Sequence, residues 1–255
     1  MNPVSVNELT ESVNSNLPRD VKSHIAKNIL TKEKDSETAK NIFAKLVNDL
    51  SLKTQKEVIN ATGTLLHTNL GRSPNKISYP GTYTNIEYDL TTLSRGKRNE
   101  YLSVLMNNLI GSEDIIFVNN NASSLFVSLK AISKLHNIES VIISRGEIIE
   151  IGGSYRLPEI INETGLSLVE IGTTNKTRLS DYKNALEKYP NSLILKVHRS
   201  NFSISGFTED VSISELAELK NKYDVFLLHD LGSGLVIDKK FLEVNNVNIL
   251  SLIHI

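Results

Sequence analysis

Residues 225–234, VFLLHDLGSG, decide how this chain is read. The apolar run Val225 to Leu228 predicts a buried strand that carries His229 and Asp230 to its end, and Gly232 and Gly234 mark a bend behind them. A carboxylate delivered to the end of an apolar strand is costly unless a cation or a protonated ring nitrogen meets it there. Taken alone, Asp230 reads equally well as a turn aspartate before a glycine-rich bend. The company this strand keeps decides between the two.

Working back along the chain, short apolar runs at 114–118, 141–144, 167–171 and 193–197 read as further strands. Helical periodicity occupies 100–109, 123–135, 155–163, 180–189 and 212–222, the last opened by a Ser212 to Glu215 capping box. Strand and helix in alternation predict an α/β domain with a mostly parallel sheet covered on both faces. In such sheets ligands bind beyond the carboxyl ends of the strands, where the polar clusters of this sequence fall. Residues 1–53 read instead as a small helical domain. Ser5 and Glu8 are spaced as a capping box, Pro18 breaks the pattern, and Ile25, Ile29, Ile42, Leu46 and Leu50 recur at helical intervals. The mixed charges at Lys32, Glu33, Lys34, Asp35, Glu37 and Lys40 read as a solvated face. The second domain then runs over 54–255.

The 255 residues, 40% hydrophobic, suffice for one large core with a satellite domain. With 28 basic against 29 acidic side chains, no global field draws the chain to nucleic acid or a membrane, so a polyanion partner needs a local patch. The absence of cysteine excludes disulfides, thiolate metal sites and a cysteine nucleophile, and fits a reducing cytoplasm. The polar N-terminus lacks an export pattern, no apolar run approaches the roughly 20 residues that span a bilayer, and the histidine spacings match no metal motif. A cytoplasmic protein with neither membrane insertion nor a metal site is expected.

Four clusters carry possible chemistry. After Val118 come Asn119 to Asn121, Ala122, Ser123 and Ser124, small polar residues at a strand-to-helix turn that suit an anion or, equally, a helix cap. Triphosphate-loop and dinucleotide fingerprints are both lacking, since Ile237 stands where the third glycine of G-x-G-x-x-G would be, and a single phosphate remains the natural guest. Ser94 to Arg98, SRGKR, puts Arg95, Lys97 and Arg98 around one glycine, enough to hold a phosphate-like group or to form a solvated basic loop. Residues 60–72, NATGTLLHTNLGR, contain His67, and a lone histidine in such a run reads first as structural. His198 to Asn201 end the strand before Asp230, and with no G-x-S-x-G elbow Ser200 does not signal a hydrolase.

Together, NATGTLLHTNLGR, YTNIEYDL, SRGKR, FVNNNAS, SRGEIIEIGGSYRLPEI, VEIGTTNKT, KVHRSNFSISGFTEDVS and HDLGSG resemble the bacterial selenocysteine synthases, the L-seryl-tRNA(Sec) selenium transferases, in order from about Val58 to Asp238. The resemblance implies a fold type I pyridoxal-phosphate large domain, pyridoxal 5'-phosphate as cofactor, serine-charged tRNA(Sec) and selenophosphate as substrates, and a homo-oligomer built as a ring of dimers. It implies that Asp230 pairs with the pyridine nitrogen and that Asn121, Ala122 and Ser123 hold the phosphate, with Ser200 in the cofactor set. Arg95 and Arg98 would bind the selenium donor, His67 completes the catalytic set, and the helical domain would dock tRNA. Two departures stand out: SPNKISYPGT, between Arg72 and Tyr83, is shorter than the family's segment, and the family's Schiff-base lysine, in a Ser-Gly-Asp-Lys-Leu-Leu-Gly-Gly context, has no counterpart before Ile255. Lys239 and Lys240 follow too soon after Asp230 to replace it. An inactive fragment without the family's small C-terminal domain is therefore expected. Alternatives are another lyase or desulfurase of the same fold, or a non-catalytic tRNA-binding protein.

Overall fold

The computed structural model describes residues 4–63, 67–72, 74, 81–151, 155–199 and 202–232. The chain divides into two compact units after Ile59, a little beyond the last helix of the N-terminal segment.

The first unit is three helices: α1 (Val6–Ser12), α2 (Arg19–Lys32) and α3 (Ser36–Lys53). Ser5 and Glu8 form the expected reciprocal box at the start of α1, with Ser5 N–H donating to Glu8 Oε2 at 2.6 Å and Glu8 N–H to Ser5 Oγ at 3.2 Å. Pro18 precedes α2, where its missing N–H costs no helical bond, and Asp35 caps α3 through Thr38 N–H at 2.8 Å. The core is Leu9, Ala26, Ile29, Ala39, Phe43 and Val47. On α3 the buried stripe is thus Ala39, Phe43 and Val47, and the stripe expected from Ile42, Leu46 and Leu50 lies one residue round the helix at 38–42% exposure. Both triplets share the same spacing, so periodicity alone does not choose; the ring of Phe43 offers more area to bury.

In the second unit a short hairpin, β1 (Tyr88–Asp89) and β2 (Ser94–Arg95), precedes α4 (Glu100–Ile110) and α5 (Asn121–His136). Then come β3 (Ser140–Ser144), a two-stranded ribbon of β4 (Glu150–Ile151) and β5 (Tyr155–Arg156), α6 (Leu157–Glu163), β6 (Ser167–Ile171), α7 (Leu179–Lys188), β7 (Ser192–Val197), α8 (Ile213–Tyr223) and β8 (Phe226–Asp230). Strands β6, β3, β7 and β8 form one parallel sheet in that order. Every residue of β3 and β7 is buried, as central strands covered on both faces require.

Side chains alternate between the two faces with the strand period of two. Val141, Ile143, Leu193, Leu195 and Val197 pack with Leu125 and Leu129 of α5 and Leu157 and Ile161 of α6. Ile142 and Ile194 face the other way, onto Tyr182 and Leu186 of α7 and Leu216 and Leu219 of α8. The expected α/β fold with helices on both faces of a parallel sheet is therefore present. One expected strand is not: residues 114–118 pair with no strand among the described residues, and Ile116, Phe117 and Val118 are exposed. β-Branched and aromatic composition favours extended backbone, but a ladder partner makes the strand. The helix expected over 155–163 begins at Leu157, because Tyr155 and Arg156 are taken up in β5.

Tyr182 is wholly buried, and among the described residues its hydroxyl has no hydrogen-bond partner. A buried hydroxyl without a partner costs about 1–3 kcal/mol, so Tyr182→Phe is expected to leave stability unchanged or raise it within that range, whereas Tyr182→Ala, which empties the ring's volume, costs about 3–5 kcal/mol. Urea midpoints of the two variants check this; a phenylalanine variant as unstable as the alanine one refutes it.

Candidate active site

The carboxyl ends of β3, β7 and β8 bring the sequence's polar clusters to one edge of the sheet. Asp230, the last residue of β8, is 8% exposed. Its Oδ1 accepts from Asn121 Nδ2 at 3.0 Å and from Gly232 N–H at 2.9 Å, and its Oδ2 accepts from Asn121 Nδ2 at 3.3 Å. Its carbonyl accepts from His198 N–H at 2.9 Å, which ties the residue after β7 to the end of β8. Among the described residues no cation forms an ion pair with this carboxylate. It is a buried anion held by neutral donors.

Asn121 begins α5 and contributes its amide to Asp230. The cap is one residue earlier: Asn120 Oδ1 accepts from Ser123 N–H at 2.9 Å, and Asn120 C=O accepts from Ser124 N–H at 3.0 Å. The N–H groups of Asn121 and Ala122 have no partner among the described residues and form the open, electropositive end of a 16-residue helix. Asp230 and the turn at 121–123 are thus brought together, joined by the Asn121 side chain. This arrangement fits pyridoxal phosphate in its donor chemistry. A buried carboxylate without a cation suits a protonated ring nitrogen, and free amides at a helix start suit a phosphate.

The other site residues expected from sequence make no bond to this pair among the described residues, or fall outside them. Arg98 Nε donates to Glu87 Oε1 at 2.6 Å and Arg95 Nη2 lies 3.5 Å from Glu87 Oε2, so the two guanidinium groups converge on one carboxylate. Arg98 and Lys97 line a cavity of about 760 Å3 with Asn85, Asp89 and Tyr101. No hydrogen bond or ion pair among the described residues joins these arginines to Asp230 or Asn121. His67 sits in its own turn, its Nδ1 accepting from Asn69 N–H at 3.2 Å and its carbonyl from Leu70 and Arg72 N–H. Ser200 lies outside the described residues, as do Gly234, Lys239 and Lys240.

A second set of charges beside Asp230 escaped the sequence reading. Lys196, on β7, donates to Glu147 Oε1 at 2.5 Å and to Asp210 Oδ1 at 2.8 Å, and Arg199 Nη2 donates to Asp210 Oδ2 at 2.9 Å. Glu147, 1% exposed, also accepts from Val197 N–H at 2.9 Å. It closes a short 3-10 turn, Arg145–Glu147, at which Gly146 is obligatory, because a Cβ there would stand 2.7 Å from the Thr174 carbonyl oxygen. A signal was present in the sequence: a lysine inside the apolar run LILKV has to find a buried anion.

Burial pushes the Glu147 carboxyl up, and the hydrogen bonds from Lys196 and Val197 offset this only in part. Burial also acts to raise Asp210, but the Lys196 hydrogen bond, the charges of Lys196 and Arg199 and the Val211 N–H outweigh it and hold that carboxyl below its ordinary range. His229, whose ring reaches solvent, is lowered by partial desolvation and by the charges of Lys196 and His198, with Asp230 pulling the other way.

A carboxylate lowered on folding adds stability above its unfolded value, about 3.9, and loses it as pH falls through the folded one. Asp210→Asn is therefore expected to cost most near neutral pH, by about 1 kcal/mol after solvent screening, with the gap from the parent chain closing below pH ~4. Urea midpoints across that range measure it, and a gap that widens in acid contradicts the sign.

Comparison with known proteins finds relatives for most of the chain. The family model described as L-seryl-tRNA selenium transferase matches residues 58–248. The L-seryl-tRNA(Sec) selenium transferase of Sulfurimonas denitrificans is 38% identical over 89% of this chain and 51% of its own length. Those of Campylobacter fetus and Aliarcobacter butzleri are 40% and 44% identical over 85% and 80% of this chain, and 51% and 46% of their own lengths. Among solved structures, D-glucosaminate-6-phosphate ammonia-lyase superposes with a TM-score of 0.45 at 16% identity, over 53% of this chain and 38% of its own. The chain spans about half the length of the curated relatives it matches, and it belongs to the L-seryl-tRNA selenium transferase family.

Proposed function

We propose that this chain takes part in converting seryl-tRNA(Sec) to selenocysteinyl-tRNA(Sec), with selenophosphate as selenium donor and pyridoxal 5'-phosphate as cofactor on a fold type I large domain. The observation that carries the reading is a family match over residues 58–248 that falls on a parallel sheet ending in a buried carboxylate with no ion pair among the described residues.

In this reading Asp230 holds the proton on the ring nitrogen. Asn121 fixes the orientation of that carboxylate by donating to both of its oxygens. The amides of Asn121 and Ala122, with the Ser123 hydroxyl, receive the phosphate at the start of α5. When bound, the cofactor supplies an electron sink for the charge left on the seryl α-carbon after its proton departs. Arg95 and Arg98 bind the selenophosphate anion in place of the Glu87 carboxylate they hold in this structure. His67 is a candidate for proton transfer, and Ser200 for a contact to the cofactor. The three-helix unit docks tRNA, a role for which its separate core suits it.

Assembly into dimers and rings draws support from α4. It buries no residue among those described, and Leu102, Leu105 and Leu109 are 44–62% exposed. An apolar helix face left exposed among the described residues suits a partner. A cytoplasmic location belongs to the same proposal; among the described residues no helix is long and apolar enough to cross a membrane.

Two measurements test the reading. Absorbance titration of the chain with pyridoxal phosphate is expected to show saturable binding that Asp230→Ala weakens by about tenfold or more, the scale of one lost charged hydrogen bond. Equal affinity in both proteins excludes Asp230 as the ring's partner. Gel-shift titration with serine-charged tRNA(Sec) is expected to show a complex that disappears when residues 1–59 are removed, and an undiminished shift moves the tRNA site to the second unit.

A further inference from the structure

Strand β7 has β3 on one side and β8 on the other, but the two pairings differ in length. Its register with β3 ends at Ile143↔Leu195, whereas its register with β8 continues through Lys196↔His229 to Val197↔Asp230. The last residues of β7 therefore extend past the end of their β3 partner. His198 N–H points towards β8, donating to the Asp230 carbonyl at 2.9 Å, so Val197 N–H, one residue back, points to the side that β3 has vacated. A buried N–H cannot be left there without a partner. Its acceptor is the carboxylate of Glu147 at 2.9 Å.

Glu147 is placed for this by the turn that leaves β3. Gly146 packs against the Thr174 carbonyl, and the buried Ser144 and Thr177 hydroxyls bond at 2.7 Å beside the same turn. The second Glu147 oxygen takes the Lys196 ammonium, whose other partner, Asp210, holds Arg199. One carboxylate thus completes the ladder at Val197 and anchors the chain of charges leading into the segment after β7. The same residue of β7 stands opposite Asp230.

We propose that Glu147 is a positioning residue for the candidate site: its carboxylate takes the place of a missing strand partner for the end of β7 and thereby fixes Asp230 on the adjoining strand. The claim concerns the set of Asp230; its link to pyridoxal phosphate rests on the proposed function. The Gly232 amide, which donates to Asp230 Oδ1, reports the carboxylate's position without any cofactor.

Two double variants of the full chain separate positioning from general stability. In both, Lys196→Met removes the charge that Glu147 neutralises. In Glu147→Gln with Lys196→Met, the glutamine carbonyl is free to accept from Val197 N–H. In Glu147→Ala with Lys196→Met, no acceptor remains. Amide exchange by NMR is expected to be near wild type at Val197, His198 and Gly232 in the glutamine pair and at least tenfold faster at these three in the alanine pair. Ile142 and Ile194 amides, deep in the same sheet, serve as the reference for global opening. Pyridoxal phosphate titration of the same proteins is expected to follow the local rates, with weaker binding by at least threefold in the alanine pair alone. Equal exchange at the three amides in the two pairs, or acceleration matched at Ile142 and Ile194, overturns the positioning role. If no protein binds pyridoxal phosphate, the cofactor reading fails while the exchange rates still decide the role of Glu147.

Discussion

Negative charge buried at the carboxyl edge of a parallel sheet is the constraint around which the second unit is organised. Two carboxylates sit there, and the structure treats them differently. Glu147 is answered by an ammonium and a backbone amide, which makes it part of the scaffold. Asp230 is answered by an asparagine and a glycine amide alone, which leaves its charge uncompensated among the described residues. Neutral donors orient a buried carboxylate without cancelling it, and an uncancelled charge is what a cationic ligand atom is drawn to.

The sheet explains why these groups meet. Alternation along β7 sends Leu193, Leu195 and Val197 to one helical layer and Ile194 to the other. Lys196 follows the parity of Ile194, and at the strand's end its ammonium finds Glu147 and Asp210. Parallel pairing then aligns the ends of β7 and β8, so that the residues leaving one strand touch those leaving the other. The start of α5 joins them through the Asn121 side chain, which donates to the Asp230 carboxylate.

Much of this was legible in the chain itself. Ser5 with Glu8 and Ser212 with Glu215 cap helices as their spacing requires, because both partners are local and the geometry of a first helical turn is fixed. Four apolar runs became strands, since a run bounded by turns and flanked by helices has few other ways to bury itself. The segment at 114–118 has the same composition and no partner among the described residues, and on α3 two equally spaced stripes competed for the core. Such choices are made by what lies across the gap, and spacing does not encode it.

The candidate site divides in the same way. The cluster at 119–124 suited an anion or a helix cap, and the structure shows the cap, at Asn120; the cluster at 229–234 gave a strand-end carboxylate, and the resemblance carried by ordered motifs joined both to one family. That Asn121 reaches Asp230, that Arg95 and Arg98 close on Glu87, and that Glu147 stands in for a strand beside Val197 were not readable from sequence. Residue types, local caps and the strand-helix rhythm are properties of neighbours in the chain, and the sequence by itself determined them. Which buried charge meets a cation and which is left open depends on contacts between residues 50 and 109 positions apart, and only tertiary packing decided that.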